Sequence, residues 1–122
     1  MSTVERFEDL RIWIEARALV NKIYSCLDES DEGSRDWGFR NQIQQAALSI
    51  MNNIAEGFER NSDRDFARFL DIAKASSGEV RSMVYIAEDR GYMTREVASE
   101  LRSQAEQISR GIATLSKHLR SG

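Results

Sequence analysis

The chain offers few side chains that could do catalytic chemistry, and their spacing argues against the common metal sites of helical proteins. It contains one histidine, His118, and one cysteine, Cys26, in 122 residues. A di-iron site in a helical bundle needs a Glu-x-x-His pair on each of two helices, whereas the residue three places before His118 is Leu115. The sequence also has no glycine-rich phosphate loop and no cysteine–histidine cluster. We therefore expect no catalytic residue, no metal ligand and no cofactor site.

Catalysis would have to rely on carboxylates alone. Glu56 and Glu79 are the acids placed near apolar stripes of predicted helices. A structural ion pair or a helix-cap contact is the favoured interpretation for both, because acids with perturbed pKa values also occur in structural networks. A carboxylate-only enzyme would instead need Glu56 and Glu79 to face each other in a deep pocket. Cys26 lies within an apolar stripe, which indicates packing rather than a nucleophile.

Two groups of basic residues are candidates for contact with nucleic acid. Arg60, Arg64 and Arg68 lie where the second predicted helix gives way to the third. Aspartates interleave with this group, so a solvated charged surface is favoured over RNA binding, which depends on uninterrupted neutralisation of phosphates. For the second group, complementarity to the helix dipole is as good an explanation as contact with nucleic acid. That group lies in the last turns of the chain: Arg110, Lys117 and Arg120.

Composition indicates a water-soluble helical protein without a strong field for nucleic acid. The formal net charge is −3, from 20 acidic and 17 basic residues. Residues 28–36 carry a local charge of −4, which leaves about +1 for the rest of the chain. No apolar run approaches the roughly 20 residues of a membrane span, the first residues lack the layout of a secretory signal, and a single cysteine suits a reducing compartment. We expect a cytoplasmic protein.

The elements that would position these side chains are four long helices, centred on the stretch Gln42–Arg60. Apolar or small residues recur there at positions 43, 46, 47, 50, 54, 57 and 58, which is the spacing of a buried helix face. The spacing predicts helices over about 8–27, 38–60, 63–90 and 95–119 in a single domain. The acidic segment 28–36 is predicted to be a loop. Trp37 and Phe39 are favoured as staples that hold this loop on the bundle, with an exposed platform for stacking a ligand as the alternative.

The residues at the predicted helix ends and the apolar pattern of the helices together indicate how the helices are arranged. Ser62 and Thr94 are predicted N-caps, and Gly91 is a predicted left-handed C-terminal residue. Short connections favour an all-α, antiparallel up-down-up-down four-helix bundle. The first three helices each carry two apolar stripes, whereas the last carries one narrow seam, so the surplus apolar surface predicts a closed homo-oligomer. The candidate interface residues are Leu48, Met51, Ile72, Met83 and Ile86.

Several blocks of the sequence, in this order, resemble the 23S rRNA intervening-sequence proteins, a family of small four-helix bundle proteins. The most specific block is Asn53-Ile-Ala-Glu-Gly-Phe-Glu-Arg60, and the similarity extends from Phe7 to about Tyr92. The other blocks are Phe7–Trp13, Gln42 with Ala46–Ile50, Phe66 with Arg68–Ala73, and Ser76 with Glu79 and Val80. The chain lacks the proline that the family usually has before the Asn-Ile-Ala-Glu block, which predicts an unbroken second helix here.

The resemblance implies a cytosolic bundle that assembles into ring-shaped homopentamers and acts as a non-catalytic scaffold or accessory protein, in some relatives with nucleic acid or a reverse transcriptase. It marks Asn53, Glu56, Gly57 and Arg60 as family-pattern residues without an established role. The partners it implies are further copies of the chain and RNA or a ribonucleoprotein. Two alternatives remain open, which are a pure assembly module that binds no nucleic acid and a carboxylate-only enzyme.

Overall fold

The computed structural model describes residues 4–122, which are all-helical and include no β-strand. A 3-10 turn covers Phe7–Asp9. The helices are α1 (Arg11–Glu29), α2 (Asp31–Arg35), α3 (Trp37–Phe58), α4 (Asp63–Asp89) and α5 (Arg95–Ser121). The prediction of an all-α fold is confirmed, and α3 is unbroken, as the missing proline predicts.

The four long helices pack side by side around one apolar core. Both α1 and α4 contact α3 and α5, so each long helix has two long neighbours. Removal of this apolar surface from water is the main favourable contribution to folding. All four helices supply fully buried side chains, including Leu19, Ile23, Ile43, Ile50, Ile54, Leu70, Val80, Val84, Leu101, Ile108 and Ile112.

The helix ends form through local interactions that the sequence predicts. Ser62 Oγ accepts a hydrogen bond from Asp65 N–H at 3.1 Å, and Thr94 Oγ1 accepts one from Val97 N–H at 3.2 Å. Gly91 has a φ of 76°, a conformation that favours glycine. These three predictions are confirmed.

The acidic segment 28–36 is not the loop that the sequence predicts, because α1 extends into it and α2 occupies Asp31–Arg35. Ser30 Oγ accepts a hydrogen bond from Gly33 N–H at 2.9 Å, and two acids in the first turn complement the helix dipole. Gly33 is buried, and a Cβ there would lie 3.2 Å from Tyr92 Cβ. Composition alone suggests a turn, whereas the cap and the close approach to Tyr92 stabilise a short helix.

The two aromatic residues that follow α2 behave differently. Phe39 packs edge-to-face on Tyr92, with ring centroids 5.6 Å apart. Trp37 is 72% exposed. The predicted staple is therefore correct for Phe39 and wrong for Trp37, because Trp37 is the first residue of α3 and turns away from the core.

The long helices are amphipathic, and α5 is the most one-sided. Its buried residues follow the predicted narrow seam: Ala98, Leu101, Ala105, Ile108 and Ile112. Within residues 4–122, no helix combines the length and the apolar character needed to cross a membrane.

Candidate functional site

The Asn53–Arg60 block lies at the C-terminal end of α3, where that helix packs against α4. Gly57 is buried, and a Cβ there would lie 2.7 Å from Phe69 Cβ and 2.9 Å from Phe66 Cδ1. Real Cβ atoms do not approach carbon atoms this closely, so only glycine fits without movement of α4. Gly57 therefore sets how closely the two helices approach.

Asn53 belongs to a polar cluster one turn earlier on the same interface. Its Nδ2 donates to the backbone oxygen of Ser49 at 2.8 Å and to Ser49 Oγ at 3.0 Å. Ser49 Oγ in turn shares a hydrogen bond of 2.8 Å with Ser76 Oγ on α4. Satisfied polar groups of this kind fix the register of packed helices without the cost of an unpaired buried donor.

Glu56 and Arg60 pair with each other on the exposed edge of this junction. Arg60 Nη2 lies 3.3 Å from Glu56 Oε2, and its guanidinium carbon lies 4.6 Å from the centre of the Phe69 ring. The arrangement neutralises Arg60 and holds it against α4. Gly57 and Arg60 thus lie directly against α4, whereas Asn53 and Glu56 act through Ser49 and Arg60, their partners on the α3 side.

The two other predicted nucleic-acid contacts, Arg64 and Arg68, lie in the first two turns of α4 and are exposed. Arg68 has a weak contact with Asp65, at 3.9 Å. Both arginines line a cavity of about 360 Å³ together with Leu119 and Arg120 of α5. The structure therefore brings Arg120, from the second basic group of the sequence, next to the first group.

The five candidate interface residues fall into two classes of exposure. Ile72 and Ile86 are 47% and 49% exposed on α4. Leu48, Met51 and Met83 are half-buried and pack against the core, so only part of each side chain faces outwards. Three other large apolar side chains, which the sequence did not name as interface candidates, are more exposed than these: Ile14, Tyr85 and Trp37.

The structure also joins Asp36 and Tyr92, which the sequence did not connect. Asp36 Oδ1 accepts a hydrogen bond from Phe39 N–H at 3.2 Å, and Asp36 Oδ2 accepts one from Tyr92 O–H at 2.5 Å. The bond from Tyr92 is the largest cause that lowers the pKa of Asp36, and the same bond raises the pKa of Tyr92. Asp36 therefore caps α3 and anchors the turn between α4 and α5.

A groove runs between α1 and α5, which we call the α1/α5 groove. It contains cavities of about 320 and 140 Å³, lined among others by Cys26, Val97, Leu101, Ala18 and Ile108. At one end it adjoins a cavity of about 470 Å³ between the end of α1, α2 and the turn before α5. Burial, followed by the charges of Glu29 and Glu100, raises the pKa of the Cys26 thiol. A raised pKa keeps the thiol protonated near neutral pH, which makes it a poor nucleophile and agrees with a packing role.

The two acids that the sequence offers for a carboxylate-only enzyme, Glu56 and Glu79, do not meet in any of the cavities described above. The predicted structural ion pair is found for Glu56, which pairs with Arg60. Glu79 is exposed on α4 and has no ion pair within 4.0 Å among residues 4–122. Neither residue lines any of these cavities. Over the part of the chain that the structure describes, no group of three histidine, cysteine or carboxylate side chains is placed to hold a metal ion.

Fold and sequence pattern together define a small all-helical protein whose characteristic residues lie at one helix junction. The family model of the 23S rRNA-intervening sequence proteins matches residues 8–114. The chain therefore belongs to this family. No curated protein matches the sequence significantly.

Proposed function

We propose that this protein is a non-catalytic scaffold or accessory protein that forms a closed homo-oligomer of five copies and associates with RNA or a ribonucleoprotein. The observation that carries the proposal is an apolar stripe on the outer surface of α4. Ile72, Ala75, Met83 and Ile86 share one face of this helix, with the exposed Glu79 among them, and we call the four apolar residues the α4 stripe. Single exposed apolar residues are common on protein surfaces, but a stripe along one helix is typical of an interaction surface.

The contacts between the long helices indicate the direction in which each helix runs. We infer an antiparallel up-down-up-down order, because contacts pair rising residue numbers on one helix with falling numbers on its neighbour. Asp71 and Glu88 of α4, for example, pair with Arg120 and Arg102 of α5. The same pattern holds at two other interfaces, with Glu15–Gln107 and Lys22–Glu100 between α1 and α5, and Ser49–Ser76 and Gly57–Phe66 between α3 and α4.

We propose a second copy of the chain as the occupant of the α4 stripe. The stripe lies on the α3 side of α4. Ser76, one helical turn after Ile72, shares a hydrogen bond with Ser49 of α3. The α1/α5 groove lies on the opposite side of the bundle and is lined in part by apolar side chains. A projecting apolar face and a groove on opposite sides of one chain suit a head-to-tail contact, which generates a ring if the rotation closes. The number five comes from the family resemblance.

The other parts of the proposal have their own support. The description of the family refers to sequences that interrupt 23S rRNA, and Arg64 and Arg68 provide exposed positive charge. The non-catalytic role is supported by the ion pair between Glu56 and Arg60, which gives that acid a structural partner.

Sedimentation velocity of charge variants tests the oligomer. Ile72→Glu and Met83→Glu should each produce monomers, because an interface that buries the stripe would have to desolvate a second carboxylate on the face that already carries Glu79. Trp37→Glu is the matched control, since Trp37 is more exposed than Ile72 but lies at the end of the bundle. Circular dichroism shows whether each variant keeps its helices. A wild-type protein that stays monomeric, or sedimentation coefficients that do not change in both stripe variants, would contradict the proposal.

A further inference from the structure

A cavity with three arginines lies at one end of the bundle, between the first turns of α4 and the last turns of α5. Its volume is about 360 Å³, and its lining is Arg64, Arg68, Leu119 and Arg120. Arg64 and Arg68 are one helical turn apart, so both guanidinium groups extend from the same face of α4. Arg120 reaches the cavity from the neighbouring helix.

The guanidinium of Arg120 is held in a fixed orientation and still has unused donors. Its Nη1 and Nη2 donate to the two carboxylate oxygens of Asp71, at 3.1 and 2.7 Å. The second Nη1 hydrogen is used by Ser116 Oγ, at 2.9 Å. A guanidinium has five N–H donors in a planar fork. The Nε–H and one Nη2–H of Arg120 therefore remain, and these two form the side-on edge of the fork.

Arg64 and Arg68 supply positive charge that nearby acids neutralise only in part. The contact between Arg68 and Asp65, at 3.9 Å, is at the limit of an ion pair. Over residues 4–122, Arg64 has no ion pair within 4.0 Å. By contrast, Arg110 on the same helix as Arg120 is paired with Glu106 at 3.1 Å. Exposed charge without close counterions is available to an anionic ligand.

We propose that this cavity binds a phosphate group. The side-on edge of Arg120 donates two parallel hydrogen bonds to two phosphate oxygens, and Arg64 and Arg68 neutralise its charge. Bidentate contacts of this kind are stronger and more specific in geometry than a single-point contact. Asp71 and Ser116 act as positioning residues, because they hold the fork open towards the cavity. The phosphate comes either from a nucleic-acid backbone or from free phosphate, and the first source rests on the RNA association proposed above.

Titration with inorganic phosphate tests the site itself. The Arg120 Nε–H resonance in an NMR spectrum of labelled protein should shift on addition of phosphate, and Arg120→Gln should weaken binding by about tenfold. Arg120→Lys keeps the charge but loses the fork, and we expect nearly the same loss. Arg110→Gln makes the same change in net charge on the same helix and should bind phosphate as the wild type does.

Titration with a short single-stranded oligouridylate RNA distinguishes the two sources of phosphate. A loss of RNA affinity in Arg64→Gln, Arg68→Gln and Arg120→Gln, but not in Arg110→Gln, supports a backbone phosphate at this site. Binding of phosphate without binding of RNA leaves the site standing and contradicts the RNA association. RNA binding that all four substitutions affect equally leaves that association standing and overturns the site, as does the absence of any Arg120-dependent binding of phosphate.

Discussion

Gly57 shows how one residue without a side chain determines the contact between two helices. Ala at this position should destabilise the protein, because its Cβ would lie 2.7 Å from Phe69 Cβ and 2.9 Å from Phe66 Cδ1. Overpacking of this kind costs about 1–3 kcal/mol, whereas Ala gains at most roughly 1 kcal/mol over Gly in a helix interior. Urea unfolding, followed by circular dichroism at one fixed protein concentration, measures the net change.

Gly78 provides the matched control for this substitution. It also lies within a helix, but a Cβ there would meet no atom within 4 Å. Gly78→Ala should therefore show the propensity gain alone, up to about 1 kcal/mol of added stability. Equal effects of the two substitutions would show that the close approach of α3 and α4 does not depend on Gly57.

The bond between Tyr92 and Asp36 predicts that the wild type is more stable than Tyr92→Phe over a pH range with a lower and an upper limit. The pKa of Asp36 is lower in the folded protein than the value of 3.8 that applies to the unfolded chain. The bond therefore stabilises the folded protein fully above the unfolded pKa, and this contribution is lost as the pH falls through the folded pKa. The pKa of Tyr92 is higher in the folded protein than the value of 10.0 that applies to the unfolded chain. The bond therefore stabilises the folded protein fully below the unfolded pKa, and this contribution is lost as the pH rises through the folded pKa. Tyr92→Phe should therefore lower Tm most between about pH 4 and pH 10.

Thermal unfolding of the wild type and Tyr92→Phe across this range measures the difference. Tyr85→Phe is the control, because the Tyr85 hydroxyl has no hydrogen-bond partner among the described residues and the side chain is 57% exposed. Its effect on Tm should not depend on pH. A constant difference between the wild type and Tyr92→Phe from about pH 3 to pH 11 would mean that the bond does not contribute in solution.

The roles of individual residues in the candidate sites were predictable from sequence only where they depend on neighbours within the same helix or turn. The pattern of the Asn53–Arg60 block marked its residues, but their role became clear only when α4 was placed against α3. Arg120 and Arg64 are far apart in the chain, and only the packing of α5 on α4 brings them to one cavity. The bond between Asp36 and Tyr92 likewise joins residues 56 positions apart. Spacing along a helix cannot report contacts of this range.

At the scale of elements, the sequence predicted the four long helices because two local signals agreed in each. The apolar period indicates the buried face, and caps such as Ser62, Thr94 and Gly91 indicate the ends. The short helix α2 was missed because its Asp, Ser and Gly residues are typical of turns. It also packs close to Tyr92, which belongs to a different part of the chain and leaves little room for a side chain at Gly33.

The cap of α4 can be tested as an element-level contribution. Ser62 accepts a hydrogen bond from Asp65 N–H, one of the donors that a helix N-terminus leaves unsatisfied. Ser62→Ala should lower the free energy of unfolding by about 1 kcal/mol, and Ser62→Gly by only a few tenths. Ser82→Ala, an exposed change in the middle of the same helix, should be neutral or slightly stabilising. A loss in Ser82→Ala as large as in Ser62→Ala would show that the hydrogen bond to Asp65 is not the cause.

At the scale of the whole molecule, the oligomer requires two different surfaces on each subunit. A contact in which the α4 stripe pairs with itself produces a dimer and stops there, because both copies use the same surface. A ring of more than two copies needs the stripe of one subunit to meet another surface of the next. The α1/α5 groove is the surface that we propose for this purpose, since it lies on the opposite side of the bundle and is lined in part by apolar side chains.

Two variants that each lose one of these surfaces should complement each other. Ile72→Glu disrupts the stripe and keeps the groove, whereas Ala18→Glu disrupts the groove, which Ala18 lines, and keeps the stripe. Each variant alone should be monomeric, and an equimolar mixture should form a pair with twice the subunit mass, joined by the one intact contact. Light scattering after size-exclusion chromatography measures these masses. The mixture should be measured at high concentration, because a single contact lacks the added affinity of a closed ring. If the stripe pairs with itself instead, Ala18→Glu alone will remain a dimer, and the mixture will contain no species that is absent from the separate variants.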